Sequence, residues 1–471
     1  MKLREVMRRY SLRIVTLAAL FIFAAGVFPP FVHAQTRAEI RRSRELADQA
    51  NKSYRAKDFK GAVQFYGEAL TLVPTNPQLH FFKGDAHYQL KEYAASEREF
   101  QLALNQGHKP LEVYSYRWYV FYDQQKYEQA IDDLNKALQL APKNAQHWKA
   151  LGEIYLQSGN RKSALEATQK ALLINPKDGD SYYQIARIQA LEGNTKAQLA
   201  ASEEAIKRGT QFAGDTYYLI GDAQTRLKND AAAIDAFNRA IAANPKIFQV
   251  YLTLASLYQR KNQLTLAIDT LNKAKPQFPS NGRLYTDISW YYSLADRPKD
   301  AEEAARSATQ LLPNEYMGYT NLCRALNDSK ETAKYRDAIT ACNNALRLKP
   351  GDGETLFYLG RSNDLLGRTA EATRYYRQAV TGLLEFTKAN ADYADGFYLL
   401  GNAYYADNQR DRAIESYTKC LELNPNFVKA RFNLGFIQLQ KKNKAAALEQ
   451  HKFLLAQDAA LAAKLKAEID K

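Results

Sequence analysis

Three cysteines, three tryptophans and six histidines among 471 residues leave few side chains for metal or nucleophilic chemistry. No histidine stands in an H-E-x-x-H or other close metal-ligand pair. There is no G-x-S-x-G and no dinucleotide fingerprint, and Gly159-Asn160-Arg161-Lys162-Ser163 lacks the second glycine of a phosphate loop. The chain is therefore expected not to be an enzyme and to need no cofactor. Charge of one sign is only mildly in excess. The formal +14 favours acidic partners, but both signs are interspersed along the chain, which reads as solvated outer faces and argues against nucleic acid as a partner.

Long apolar runs are scarce as well. The one near the amino terminus, Ile14 to Phe28, follows Lys2, Arg4, Arg8, Arg9 and Arg13 and is itself followed by Pro29-Pro30. At about 15 residues it is short for a bilayer span, which takes about 20. Val32-His33-Ala34 offers the small or aliphatic residues that a signal peptidase reads, so 1–34 is expected to be an export signal cleaved before Gln35. The mature chain then has no membrane span, and the most natural setting is a bacterial periplasm. A retained segment 14–28 would instead anchor the protein to the inner membrane.

What the chain has in abundance is repetition. In Ala145 to Asp178, Trp148, Leu151, Gly152 and Tyr155 follow the i, i+3, i+4, i+7 spacing of an amphipathic helix. Gly159-Asn160 breaks it, Ala164, Thr168 and Ala171 line a second helix, and Pro176 stops that one. Shifting this 34-residue pattern along the chain recovers it in units beginning near Ser43, Pro77, Leu111, Ala145, Gly179, Gly214, Phe248, Gly282, Tyr316, Gly353, Ala394 and Val428. The Ala164 position is alanine in all units except those with Ser96 and Gln198. Small residues there let two helix backbones approach closely.

With Trp148, Leu151, Gly152, Tyr155, Ala164, Ala171 and Pro176 matching its W-x2-L-G-x2-Y, A-x3-F, A and P signature, the chain resembles the tetratricopeptide repeat family, Thr168 departing from the aromatic. The resemblance implies an all-α, right-handed solenoid superhelix of about twelve helical hairpins over 35–458, closed by a capping helix at 459–471. It also implies a protein-binding scaffold with a concave groove.

Groove candidates follow from the repeat phase. Tyr54, Tyr88 and Tyr122 recur 34 residues apart, with Phe81 and Tyr119 nearby. Further along, arginines gather at the expected concave positions as Arg187, Arg226, Arg260, Arg324 and Arg361, joined by Trp290. Guanidinium groups suit carboxylates, or pair with aspartates along a wet face. The leading expectation is an exported scaffold for a protein or peptide partner. Two alternatives are a carbohydrate-binding accessory factor of envelope polysaccharide handling, its tyrosines stacking on sugar rings, and a membrane-anchored assembly factor. Cys323 and Cys342 fall at facing positions of one hairpin and are candidates for a disulfide, which an oxidising compartment would preserve.

Overall fold

The computed structural model describes residues 35–471; the basic and apolar stretch 1–34, and the expected cleavage before Gln35, lie outside that range. Among the described residues every regular element is a helix. The helices pair into antiparallel hairpins because each carries one apolar face, which a single helix has no means of burying alone. The chain divides into two compact units at Pro176. The first unit holds four hairpins, 37–72, 77–105, 110–140 and 145–174. The second holds eight, 179–207, 213–243, 248–274, 282–311, 316–348, 353–389, 394–423 and 428–457, followed by a closing helix Ala459–Ile469.

The entry helix Arg37–Arg55, of 19 residues, is longer than the first helices of the hairpins that follow. Thr36 begins it with a capping box, its hydroxyl accepting from Glu39 N–H while the Glu39 carboxylate accepts from Thr36 N–H at 2.7 Å. Within the hairpins the turn needs one residue in the left-handed region. Gly159 supplies it at φ +84°, and lysines fill the same place at Lys91 and Lys228 with φ near +60°.

Tight helix contact rests on the small-residue columns. Ala62, Ala130, Ala164, Ala233 and Ala413 are fully buried. The two exceptions in that column find polar partners: Ser96 Oγ donates to the Gly84 carbonyl at 2.7 Å and Gln198 Nε2 to the Leu219 carbonyl at 2.8 Å. Opposite the columns, a Cβ on Gly221 would stand 2.5 Å from the Phe237 ring, so that position admits hydrogen alone.

Two irregularities fall in the second unit. The lengthened turn after Asp328 forms a short 3-10 helix Thr332–Lys334, and Asn327 steadies its approach by donating to the Cys323 carbonyl and to Ser362 Oγ, both at 2.9 Å. In that hairpin Cys323 and Cys342 are joined as a disulfide with Cα atoms 5.3 Å apart, while Cys420 is a buried free thiol. The second helix of the next hairpin runs from Thr369 to Ala389. Val380 and Leu383 on it are buried, whereas Leu384 and Phe386 stay exposed. No helix among the described residues is long and apolar enough to cross a membrane.

Candidate functional site

In the first unit Tyr54 and Tyr88 sit at the seams between hairpins. Tyr54 packs edge-on against Phe59 at 5.2 Å and donates its hydroxyl to Asp85 at 2.7 Å. Tyr88 lies beside Tyr93 and Tyr119 with a hydrogen bond to Asp123, and burial followed by that bond pushes its hydroxyl well above the usual range. Tyr122 meets Trp118 and Tyr127. Tyr119 stays exposed, its ring stacked on Trp118 at 3.6 Å. Phe81 departs from its expected place on the groove. It is 6% exposed, because the loop ahead of Pro110 brings the His108 ring flat against it at 4.5 Å.

The second unit is built differently. Hairpins far apart in sequence touch: Gln259 Nε2 donates to Asp395 at 3.2 Å and Lys429 Nζ to the Ser293 carbonyl at 3.1 Å. Asn262 and Asn426 add amide bonds to the Gln457 and Arg260 carbonyls at 3.3 and 3.0 Å. The hairpins starting at Phe248 and Gly282 thereby close against those starting at Ala394 and Val428.

Three neighbouring cavities lie beside this closure, with volumes of about 430, 140 and 930 Å³, the first two walled by residues from both of its sides. Trp290 and Arg324 are shared by the first two, and Arg361, Tyr398 and Asn402 by the last two. Thus three of the sequence candidates converge. Arg324 is 2% exposed, lies over the Trp290 ring at 4.0 Å, and pairs through Nη2 with Glu354. Its Nε and Nη1 have no hydrogen-bond partner although both are buried. Arg361 Nη1 meets Asp328 at 3.3 Å in the middle cavity, where burial pushes Lys429 down and Asp328 up.

The other arginines do not join them. Arg226 pairs with Asp222 one helical turn away at 3.1 Å, and Arg260 lies 3.8 Å from Asp230 on the surface. Arg187 stands over the Tyr183 ring at 5.6 Å. Arg226 and Arg260 follow the alternative of charges paired along a wet face.

Carboxylates complete the first cavity. Asp287 and Asp395 both line it, and burial pushes each up to about 6. The Arg283 guanidinium, mostly in solvent, stands 3.9 Å from Asp287; Asp395 accepts from the neutral Gln259 amide. Lys349 Nζ, also lining this cavity, is held by Asp352 at 3.0 Å and the Tyr316 hydroxyl at 2.8 Å. Sequence reasoning singled out none of Asp287, Glu354 or Asp395. A signal was available, since Glu354 and Asp395 share the second position of their repeats. Among the described residues no group of three or more histidines, cysteines or carboxylates is arranged to hold a metal ion.

Tetratricopeptide repeat models match residues 48–108, 231–282 and 328–391, and others match 119–159, 148–178, 214–247, 394–427 and 416–449, together well over half of the chain. Among curated relatives, small glutamine-rich tetratricopeptide repeat-containing protein 2 of Saccharomyces cerevisiae is 30% identical over 112 residues, 24% of this chain and 32% of that one. RNA polymerase II-associated protein 3 of Mus musculus is 26% identical over 118 residues, 25% of this chain and 18% of the relative. The chain thus spans a third or less of the relatives it matches. The solved Cut9–Hcn1 assembly of the APC/C aligns over 91% of this chain and 97% of its own at 14% identity, with a TM-score of 0.40.

Proposed function

The chain belongs to the tetratricopeptide repeat family, and we propose that it is an exported scaffold, without catalytic activity, that holds a segment of a partner protein inside its second unit. Family membership supports the general role, since stacked hairpins offer extended surfaces for protein partners. One observation carries the place: the 430 Å³ cleft where Trp290, Met317 and Phe386 lie beside charged groups. Apolar walls with a few polar groups are how pockets bind and orient a ligand. The packing of Tyr54, Tyr88 and Tyr122 against neighbouring rings in the first unit favours a protein segment over sugars as the ligand.

Export is supported by the basic and apolar pattern of 1–34 and by the bridge between Cys323 and Cys342, a bond that persists in oxidising compartments. Amino-terminal sequencing of the chain expressed in a bacterium is expected to read Gln35 first. Recovery of Met1 in the membrane fraction would replace the cleaved form with an anchored one.

The scaffold reading is tested by selecting random displayed peptides on the full-length chain. Peptides are expected to enrich, and Trp290→Ala should weaken them by about tenfold, in keeping with the loss of an aromatic anchor. No enrichment, or enriched peptides indifferent to Trp290, counts against it.

A further inference from the structure

The ionic pairs of the first cavity do not cancel. Arg324 is matched by Glu354, and Lys349 by Asp352. Asp287 and Asp395 are left over, with Glu385 at the rim. Asp395 is 6% exposed and accepts its side-chain hydrogen bond from a neutral amide; the arginine beside Asp287 is 69% exposed at its side chain. Arg283 and Arg324 offset the burial of these two carboxylates only in part, and a cation entering the cleft would relieve both.

A second observation, of opposite sign, narrows the ligand. Arg324 is buried with Nε and Nη1 unpartnered, and it lines the same cleft. Those donors need an acceptor, which an ammonium or a bare metal ion does not offer. A basic residue within a peptide offers both, a cationic side chain and a backbone carbonyl beside it. The Trp290 and Tyr316 faces already carry Arg324 and Lys349 at 4.0 and 4.3 Å, so the incoming charge is left to the carboxylates.

We propose that this cleft takes a lysine or arginine side chain of the partner segment, with Asp287 and Asp395 as its counter-charges and Arg324 donating to an adjacent backbone carbonyl. The inference rests on the scaffold reading above and adds the partner's chemistry to it. It also runs against bulk electrostatics, because a chain of formal charge +14 attracts acidic peptides in general. A preference for basic ones is therefore diagnostic of a local site.

The test uses the full chain and labelled peptides of the form (Ala-Gly-X-Gly) repeated three times, with X as Lys, Arg, Gln or Glu, read by fluorescence anisotropy. The Lys and Arg peptides are expected to bind at least about tenfold more tightly than Gln, and Glu more weakly still, in line with the coupling of close interfacial charges. Asp287→Asn with Asp395→Asn should erase that preference, whereas Asp269→Asn, on an exposed helix face, should leave it unchanged. If the double variant does not fold, the peptide series on the unaltered chain decides. Equal affinity for Lys and Gln peptides, tighter binding of Glu, or no binding of any of the four overturns the basic-residue assignment. Failure of the scaffold reading is seen separately, when random selection yields no peptide dependent on Trp290.

Discussion

Replacing Asp133 by alanine while Arg117 stays is expected to cost the first unit about 3–5 kcal/mol, the usual consequence of stranding one charge of a buried pair. Arg117 lies on helix Pro110–Asp123 and Asp133 on its hairpin partner Tyr127–Leu140. Two parallel bonds join them, Nε to Oδ2 and Nη2 to Oδ1, both at 2.8 Å, and the residues are 7% and 1% exposed. The remaining nitrogen, Nη1, donates to Gln101 of the preceding hairpin at 2.8 Å. Burial works to lower the Arg117 pKa, but the bonds to Asp133 outweigh it and hold the guanidinium above its ordinary value. The cation has no way to discharge when its partner goes, and it must drag water into the seam or break the hairpin contact. Arg117→Met with Asp133→Leu removes both charges and should recover stability to within about 1 kcal/mol of the unaltered chain. Urea unfolding with hydrogen exchange read in 110–140 separates the outcomes. A loss under about 1 kcal/mol for Asp133→Ala, or a double variant as weak as the single, would show that the pair is not what ties the two helices of this hairpin together.

The hairpins were legible because their cause is local. The glycine at Gly221 and the ring of Phe237 meet within one repeat, as do the alanine columns, and a period of 34 residues displays every such pair in phase. The convergence of Trp290, Arg324 and Arg361 was legible for the same reason, each holding the ninth position of its repeat. Arg226 and Arg260 hold the thirteenth, about one helical turn further on, and face a different neighbour. Arg187 also holds the ninth position but lies three repeats ahead of Trp290, so the six residues do not form one row. The closure that makes a pocket of these residues had no such signature. It joins Gln259 to Asp395, and Lys429 to the Ser293 carbonyl, each across 136 residues. One acceptor is a backbone carbonyl, which any residue carries. The rotation of each hairpin on the last accumulates from small packing differences, and local periodicity is silent about it.

Asp395→Asn is expected to stabilise the second unit at about pH 7 by up to about 3 kcal/mol, taking roughly 1.4 kcal/mol per pKa unit. The ordinary aspartate value is 3.8 and burial raises Asp395 to about 6, so the folded chain binds this proton more tightly than the unfolded one. The stability tied to that proton is then complete below about pH 4, is lost as pH rises through about 6, and stays lost above it. Acidifying the unaltered chain from about pH 7 to about pH 5 should strengthen the second unit by roughly 1 kcal/mol from Asp395 alone. Asp287, also pushed up to about 6, adds a smaller share because a third of its side chain is exposed. Groups facing Asp395 include Arg324, which pulls its pKa back down, and the Gln259 amide, a bond that an asparagine oxygen preserves. In the variant the gain on acidification should shrink to the part left by Asp287. Thermal and urea unfolding at the two pH values, with hydrogen exchange read in helix Ala394–Ala406, measures both effects. A variant less stable than the parent at about pH 7 would mean that the ionised carboxylate ties the closure together. The expected result means the opposite, that Asp395 weakens the fold until a cation arrives. A carboxylate costly to the empty protein and relieved by a ligand is a group placed for binding, and its titration should then fall back toward the ordinary range when a basic peptide is bound.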